Sequence, residues 1–395
     1  MGRTWTIGIV QDTSRPMLGG HGLHVACRGL PGVEVAGLVD TRDQDIAARL
    51  AATGARRHFR TLEELLERAR PDIVILCSRH PGDHLAQIRA AAERGVHVYC
   101  EKPMCADLIE ADAIVALAER HGVRIAVAHP ARHAAVFRAL KDLLADGAIG
   151  RPLAAYGRGK CDHRGGGEDL VVLGTHILDL QAHLFGPPLH VQAEVWTGGR
   201  PSAPGETVAT VEPIGPAAGD DIVATFAFAG GVHGHFSSHR GWAQPGNDGV
   251  IMGLTVLGDR GALSLRFNDR AHPPTTLRIC RQPLPPEDGA TYEDVPVPPC
   301  ACPSASPLDL SLCGQPDVPQ APFFLEANRA ALLDLMSAIE TGCRPRCDAD
   351  DARIAQEMIQ GIYAAHLSGG RLRFPLAQRE HPLLRSGPWP AERER

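Results

Sequence analysis

Val96-His97-Val98-Tyr99-Cys100-Glu101-Lys102-Pro103 decides how this chain is read. Residues of β character run straight into a charged pair and then a proline. Pro103 biases Lys102 away from the helical region and admits a cis bond. Lys102 is thereby held extended at the carboxyl end of a strand that reads as parallel, the end at which open α/β sheets bind ligands. For an isolated Glu-Lys-Pro, a surface lysine at a turn is the better reading. Here the tripeptide follows a β-α-β entry and precedes a Gly-Gly-Gly…His helix, an order that favours a site.

Upstream, Ile7-Gly8-Ile9-Val10 is a short apolar strand. The Gly-x-Gly-x-x-Gly turn of dinucleotide-binding folds does not follow it. The chain instead reads Gln11-Asp12-Thr13-Ser14-Arg15-Pro16-Met17-Leu18, then Gly19-Gly20-His21-Gly22, then a helix from Leu23. Gly20 and Gly22 are expected to let backbone N–H groups approach a pyrophosphate at the helix N-terminus, with Arg15 adding charge. The next strand, Val33 to Val39, runs into Asp40. Its distance from the glycines is that at which dinucleotide-binding folds place an acid. A carboxylate there suits the adenosine ribose 2′-OH and repels a 2′-phosphate. Arg42 pulls the other way, so NAD is expected ahead of NADP. A turn or helix-cap role is the alternative for Asp40.

Thr61 and Glu64 stand at capping-box spacing before a short helix. Pro71 to Cys77 is a buried strand, followed by a loop, Ser78 to His84, at the same sheet edge. Ser78, His80 and His84 are therefore candidate cofactor contacts, with Gly8, Glu101 and Lys102. Helices near Leu85–Arg94 and Ile109–Arg120 and a strand Val123–Ala128 complete an alternation that means a doubly wound parallel sheet, an α/β fold over residues 1–130. Residues 131–395 read as a second, α+β domain. A strand, Leu153–Gly159, leads to Lys160-Cys161-Asp162-His163-Arg164, then to Gly165-Gly166-Gly167-Glu168-Asp169 and a helical run holding His176. The three glycines read as backbone brought close to a ligand. A lone histidine in an apolar helix is most simply a core residue. From Val191 onward the pattern alternates, as in a large antiparallel sheet. Residues 283–322 are Pro-rich and read as a long excursion. Two helices, Phe324–Thr341 and Ala349–Leu367, close the chain.

Composition narrows the class. A chain of 395 residues with 44% hydrophobic and 22% charged residues suits two soluble globular domains. A net charge of −6 gives no footprint for nucleic acid. There is no apolar run long enough for a membrane span. The start of the sequence lacks signal-peptide regions, so a cytoplasmic protein is expected. The 11 cysteines lack zinc-type spacing and read as reduced. Cys300 and Cys302 lie in the Pro-rich stretch, and His233, His235 and His239 alternate along a strand. Neither group has residues placed to complete a site, so no metal is expected.

The Glu101-Lys102-Pro103 step, the strand Val123–Ala128 with His129-Pro130-Ala131-Arg132 after it, and the helix carrying His176 resemble the Gfo/Idh/MocA oxidoreductase family. Inositol dehydrogenases and glucose–fructose oxidoreductase belong to that family. The resemblance extends to Gly261-Ala262-Leu263 and to the Pro345…Ala352-Arg353 helix, and so covers nearly the whole chain. It implies a Rossmann-type domain followed by an α+β domain with a large open sheet, through which such chains form homo-dimers or homo-tetramers. It implies hydride transfer between NAD(P) and a secondary hydroxyl of a sugar or cyclitol, with His176 as acid/base and Lys102 as the cation facing the alkoxide-like oxygen. The family usually carries an aspartate where this chain has Val172. Asp169 stands seven residues before His176, about 10.5 Å along an ideal helix. That distance suits two groups on opposite sides of one sugar ring, so Asp169 joins Asp162, His163 and Arg164 as a substrate candidate. The same scaffold also admits an NAD-dependent glycosidase that oxidises a ring hydroxyl transiently, or a non-enzymatic ligand sensor.

Overall fold

The computed structural model describes residues 3–15, 22–243, 252–267, 275–282, 291–297 and 322–385, with the single positions 306, 309 and 389 and the pairs 314–315 and 318–319. In chain order the elements are β1 (Trp5–Val10), α1 (Leu23–Ala26), β2 (Val33–Val39), α2 (Ile46–Thr53), β3 (His58–Phe59), α3 (Leu62–Arg68), β4 (Ile73–Leu76), α4 (Pro81–Ala92), β5 (His97–Cys100), α5 (Leu108–His121) and β6 (Ile125–Val127). There follow α6 (Ala135–Ala145), β7 (Pro152–Arg158), α7 (Gly167–Asp169), a π-helical turn (Leu170–Gly174), α8 (Thr175–Phe185), β8 (His190–Thr197), β9 (Arg200–Pro201), β10 (Asp221–Ala227) and β11 (His233–His239). Last come β12 (Gly253–Gly258), β13 (Gly261–Phe267), β14 (Thr275–Cys280), β15 (Glu293–Asp294), β16 (Gly314–Gln315), β17 (Val318–Pro319), α9 (Pro322–Thr341), α10 (Ala349–Ser368) and β18 (Leu372–Arg373). No described helix is long and apolar enough to cross a membrane.

The chain forms two compact units. In the first, six strands run in the order β3-β2-β1-β4-β5-β6, all parallel. β4 is buried along its whole length because both faces of a parallel sheet are covered. Thr61 caps α3 as its spacing implies, its Oγ accepting the Glu64 N–H at 3.1 Å. The expected division at residue 130 needs correction. The first unit extends to Ala134 and also takes in α9, far along the chain. Ala331, Leu332, Leu335 and Met336 of that helix share one core with Ile7, Ile9, Leu38, Ile73 and Tyr99. The Tyr99 hydroxyl donates to Asn328 Oδ1 at 3.0 Å. The Pro-rich stretch that precedes α9 hides this return, and most of it lies outside the described residues.

The second unit is built on a large sheet in the order β15-β14-β13-β12-β7-β11-β10-β8-β18, with β9 paired to β8. Its pairs are antiparallel except β11 with β7. Alternation along β10 and β11 sends Ile222, Ala224, Phe226 and Phe236 into the core. The opposite face keeps Tyr156 and Val223 exposed, at 46% and 48%. α8 packs on the inner face. Gln181 donates its amide N–H to His235 O at 2.9 Å, close against Gly157 and Gly234, where a Cβ would clash with it.

Candidate active site

In the first unit the strand order reverses between β1 and β4, and the loops leaving these strands lie at the carboxyl edge of the sheet. This is the switch point at which doubly wound sheets take ligands. After β1, the turn Gln11–Arg15 is tied down by charge. Arg15 donates through Nε to Asp12 at 2.7 Å and through its two terminal nitrogens to Asp83, in the first turn of α4. Ser78 Oγ also donates to Asp83 at 2.8 Å. Burial opposes ionisation of Asp83, but the bonds from Arg15 and Ser78 outweigh it and hold the carboxyl below its ordinary value.

Asp40 follows β2 as expected, but it is fully buried. Its oxygens accept from Thr13 Oγ at 2.8 Å and the Arg42 N–H at 3.0 Å, and Arg49 Nε lies 3.3 Å away. Arg42 reaches back to the Thr13 carbonyl at 3.3 Å. Asp40 therefore braces the Gln11–Arg15 turn from behind, which corrects the expectation of direct ribose contact. Neither Thr13 nor Arg49 carried a signal in sequence spacing.

Three further expectations change. Gly8 lies inside β1, and a Cβ there would meet the Leu65 side chain at 2.6 Å, so this glycine admits α3 against the sheet. Gly22 has φ +81° and opens α1, which is a single turn. That leaves little helix dipole for a pyrophosphate. Gly20 lies outside the described residues. His84 sits in α4, whose start at Pro81 shortens the expected loop. Its ring is fully buried, with Nδ1 3.1 Å from the carbonyl oxygens of Pro103 and Met104 and Nε2 3.0 Å from that of Ser78. Burial pushes His84 below the ordinary imidazole value. Its ring is a strut between two loops. His80 is the residue before α4, and its N–H donates to Ser78 Oγ at 3.1 Å.

β5 delivers Glu101 and Lys102 to the same edge, both buried. Glu101 Oε1 accepts the Lys102 N–H at 3.0 Å, and the Lys102–Pro103 peptide is cis. The carboxyl edge of this sheet therefore gathers Arg15, the Ser78–His80 loop, Glu101 and Lys102. Arg15 and Lys102 bring cations to this edge, which suits an anionic dinucleotide, and the residues present fit that group.

In the second unit, β7 and β11 end side by side, and the segment that follows β7 carries the predicted substrate residues. Asp162 is gripped by Arg164, whose N–H and Nη2 each donate at 2.9 Å. Burial would raise the Asp162 pKa, but Arg164 keeps it below its ordinary value. Arg164 is matched on its other side by Glu212 at 2.9 Å, a partner that sequence spacing does not reveal. His163 points outward, its side chain 73% exposed.

Asp169 moves out of the substrate set. It is fully buried and accepts the N–H groups of Lys160 and Cys161 at 3.1 and 3.0 Å and the Ser238 hydroxyl at 2.6 Å. The three glycines also serve the fold. A Cβ on Gly165, Gly166 or Gly167 would come within 2.4 Å of backbone at Arg240, Gly219 or Ala218. Backbone passes backbone there, not a ligand. The run from Asp169 to His176 passes through the π-helical turn, so ideal α-helical spacing does not apply. His176 lies in the first turn of α8 and is buried, with Val172 buried in the π turn before it.

Residues 19–129 match the model of an oxidoreductase family, Gfo/Idh/MocA, described as an NAD-binding Rossmann fold, and residues 137–264 match the Gfo/Idh/MocA C-terminal domain. Among curated proteins, a 1,5-anhydro-D-fructose reductase of Ensifer adhaerens is 32% identical over 39% of this chain and 40% of its own. A D-apiose dehydrogenase of Paraburkholderia graminis is 32% identical over 47% of this chain and 52% of its own. The chain thus spans about half the length of these relatives or less. Among solved structures, a levoglucosan dehydrogenase in complex with NADH and levoglucosan superposes with a TM-score of 0.72. It is 17% identical and covers 94% of this chain and all of its own, a likeness of fold.

Proposed function

This chain belongs to the Gfo/Idh/MocA oxidoreductase family, and from that premise we propose that it transfers a hydride between NAD(P) and a secondary hydroxyl of a sugar or cyclitol. One observation carries the proposal: a buried lysine, Lys102, at the carboxyl edge of a doubly wound sheet. A bound nicotinamide supplies the hydride acceptor. Arg15, the Ser78–His80 loop and Glu101 would hold the dinucleotide. Lys102 stabilises the oxygen that gains charge as the C–H bond breaks. His176 takes the hydroxyl proton as base, and returns it in the reverse direction. The test is turnover of aldoses and cyclitols followed as NAD(P)H absorbance. A deuterium on the reacting carbon should appear in the reduced cofactor. Label lost to water would overturn direct hydride transfer.

Within that function we assign NAD as the preferred dinucleotide. Asp40 places a fixed negative charge behind Thr13, with Arg42 and Arg49 partly offsetting it. Asp40→Ala should narrow the NAD over NADP preference and weaken both, because the turn it braces loosens. Fluorescence titration with each cofactor measures this, and tighter NADP binding by the wild type sinks the assignment.

The assembly we propose is a homo-dimer or homo-tetramer joined through the outer sheet face. There Tyr156 stacks on His235, with ring centroids 4.6 Å apart and planes within 3°, and Val223 stays exposed. Val223→Lys puts a charge on that face and should lower the mass seen by light scattering by a factor of two. A wild type that runs as a monomer refutes this interface. The eight described cysteines are unbridged, seven of them buried, which supports a reducing, cytoplasmic setting.

A further inference from the structure

We propose that Trp242 is a stacking platform for the ring of the carbohydrate substrate. This rests on the sugar or cyclitol reading above and adds a specific contact to it. Trp242 is 58% exposed, while Trp5 and Trp389 are buried. Its indole lies against the His239 imidazole, with ring centroids 3.9 Å apart and planes tilted by 21°. His239 is itself fixed, since its Nδ1 lies 2.6 Å from Asp221, its direct cross-strand partner on β10. One face of the indole is thus backed by a ring whose rotamer is locked.

The backbone on either side is pinned to the loop that holds the polar candidates. The Gly241 N–H donates to Asp162 O at 3.0 Å, and the Ala243 N–H donates to Cys161 O at 2.8 Å. The plate is therefore held beside Asp162, His163 and Arg164 at the ends of β7 and β11. A pyranose or cyclitol ring has just these two aspects, a patch of C–H groups and an edge of hydroxyls. The indole covers the C–H patch, and the polar side chains pair with the hydroxyls, Asp162 as acceptor and Arg164 as donor. A rigid aromatic contact of this kind loses little conformational freedom on binding.

The experiment uses the full chain with D-glucose, D-xylose and myo-inositol as probes, read by intrinsic tryptophan fluorescence and by steady-state turnover. The expected result is a saturable fluorescence change in the wild type that Trp242→Phe removes. With Trp242→Ala, KM should rise about three- to tenfold, the range of one aromatic contact, while kcat and NAD(P) affinity stay unchanged. His239→Ala should show part of the KM effect, and His239→Phe, which keeps a stacked ring, should restore it. Unchanged KM and fluorescence in Trp242→Ala, with turnover retained, would overturn the platform and leave the sugar reading standing. Loss of NAD(P) affinity alone would also overturn it, since the indole would then face a nucleotide ring. A wild type that neither turns over nor responds to any probe would overturn both.

Discussion

Lys102→Ala and His176→Ala should each lower kcat by about 10²–10⁴-fold, the usual scale for losing a positioned acid/base or the charge facing a developing oxyanion. Both should retain NAD(P) affinity within a fewfold and an unchanged unfolding midpoint. The two losses differ in kind. Without Lys102 the charge that grows on the substrate oxygen lacks its counter-charge at every pH. Without His176 the proton lacks an acceptor, so the remaining rate should climb with pH as hydroxide replaces the imidazole. Stopped-flow turnover of each variant across pH separates these outcomes. A His176→Ala enzyme with near-normal kcat would move the base elsewhere, with His163 next in line.

Asp169→Asn should destabilise the second unit by about 1–3 kcal/mol, the cost of leaving a buried donor unmatched. The carboxylate accepts from Lys160 N, Cys161 N and Ser238 Oγ. An amide has one oxygen, and its NH₂ would face donors. Asp169→Ala should cost more. Burial raises the Asp169 pKa above the ordinary carboxylate value, against the pull of those three donors. The folded state therefore holds this proton more tightly than the unfolded chain does. The Asp169 contribution to stability accordingly falls as pH rises from the ordinary carboxylate range through the raised value. The difference in denaturation free energy between wild type and Asp169→Asn should carry that pH dependence. A variant with unchanged stability and a large rise in KM would instead place Asp169 against the substrate.

These two cases mark where the sequence could be read and where it could not. Lys102 is legible because β character, a proline and strand alternation are local signals that fix both an element and its end. Thr61 and Glu64 are legible for the same reason. Asp40 illustrates the limit. Its place after β2 follows from local pattern, but its partners lie on opposite sides of it in the sequence, Thr13 in the first turn of the chain and Arg49 within α2, with no periodicity to join them. Asp169 fails for a different reason. Helical spacing presumes a regular α-helix, and the π turn at Leu170–Gly174 breaks that count. The three glycines read as room for a ligand because a sequence does not distinguish close approach to a ligand from close approach to the chain's own backbone. Trp242 and His239 stack at a strand end, where spacing predicts no such contact.

The return of α9 also sets a timetable. The last strand of the parallel sheet is complete once Val127 is made, but the helix that completes the core ends only at Thr341. Cys27 and Tyr99 wait through the making of the second sheet for Ala331 and Asn328. Contacts so distant in sequence form late and slowly. The domain begun first during synthesis is thus finished only after strands β7 to β15 of the other have been made. Throughout that interval an apolar face of the nascent sheet stands open to water, and to any chaperone that binds such surfaces.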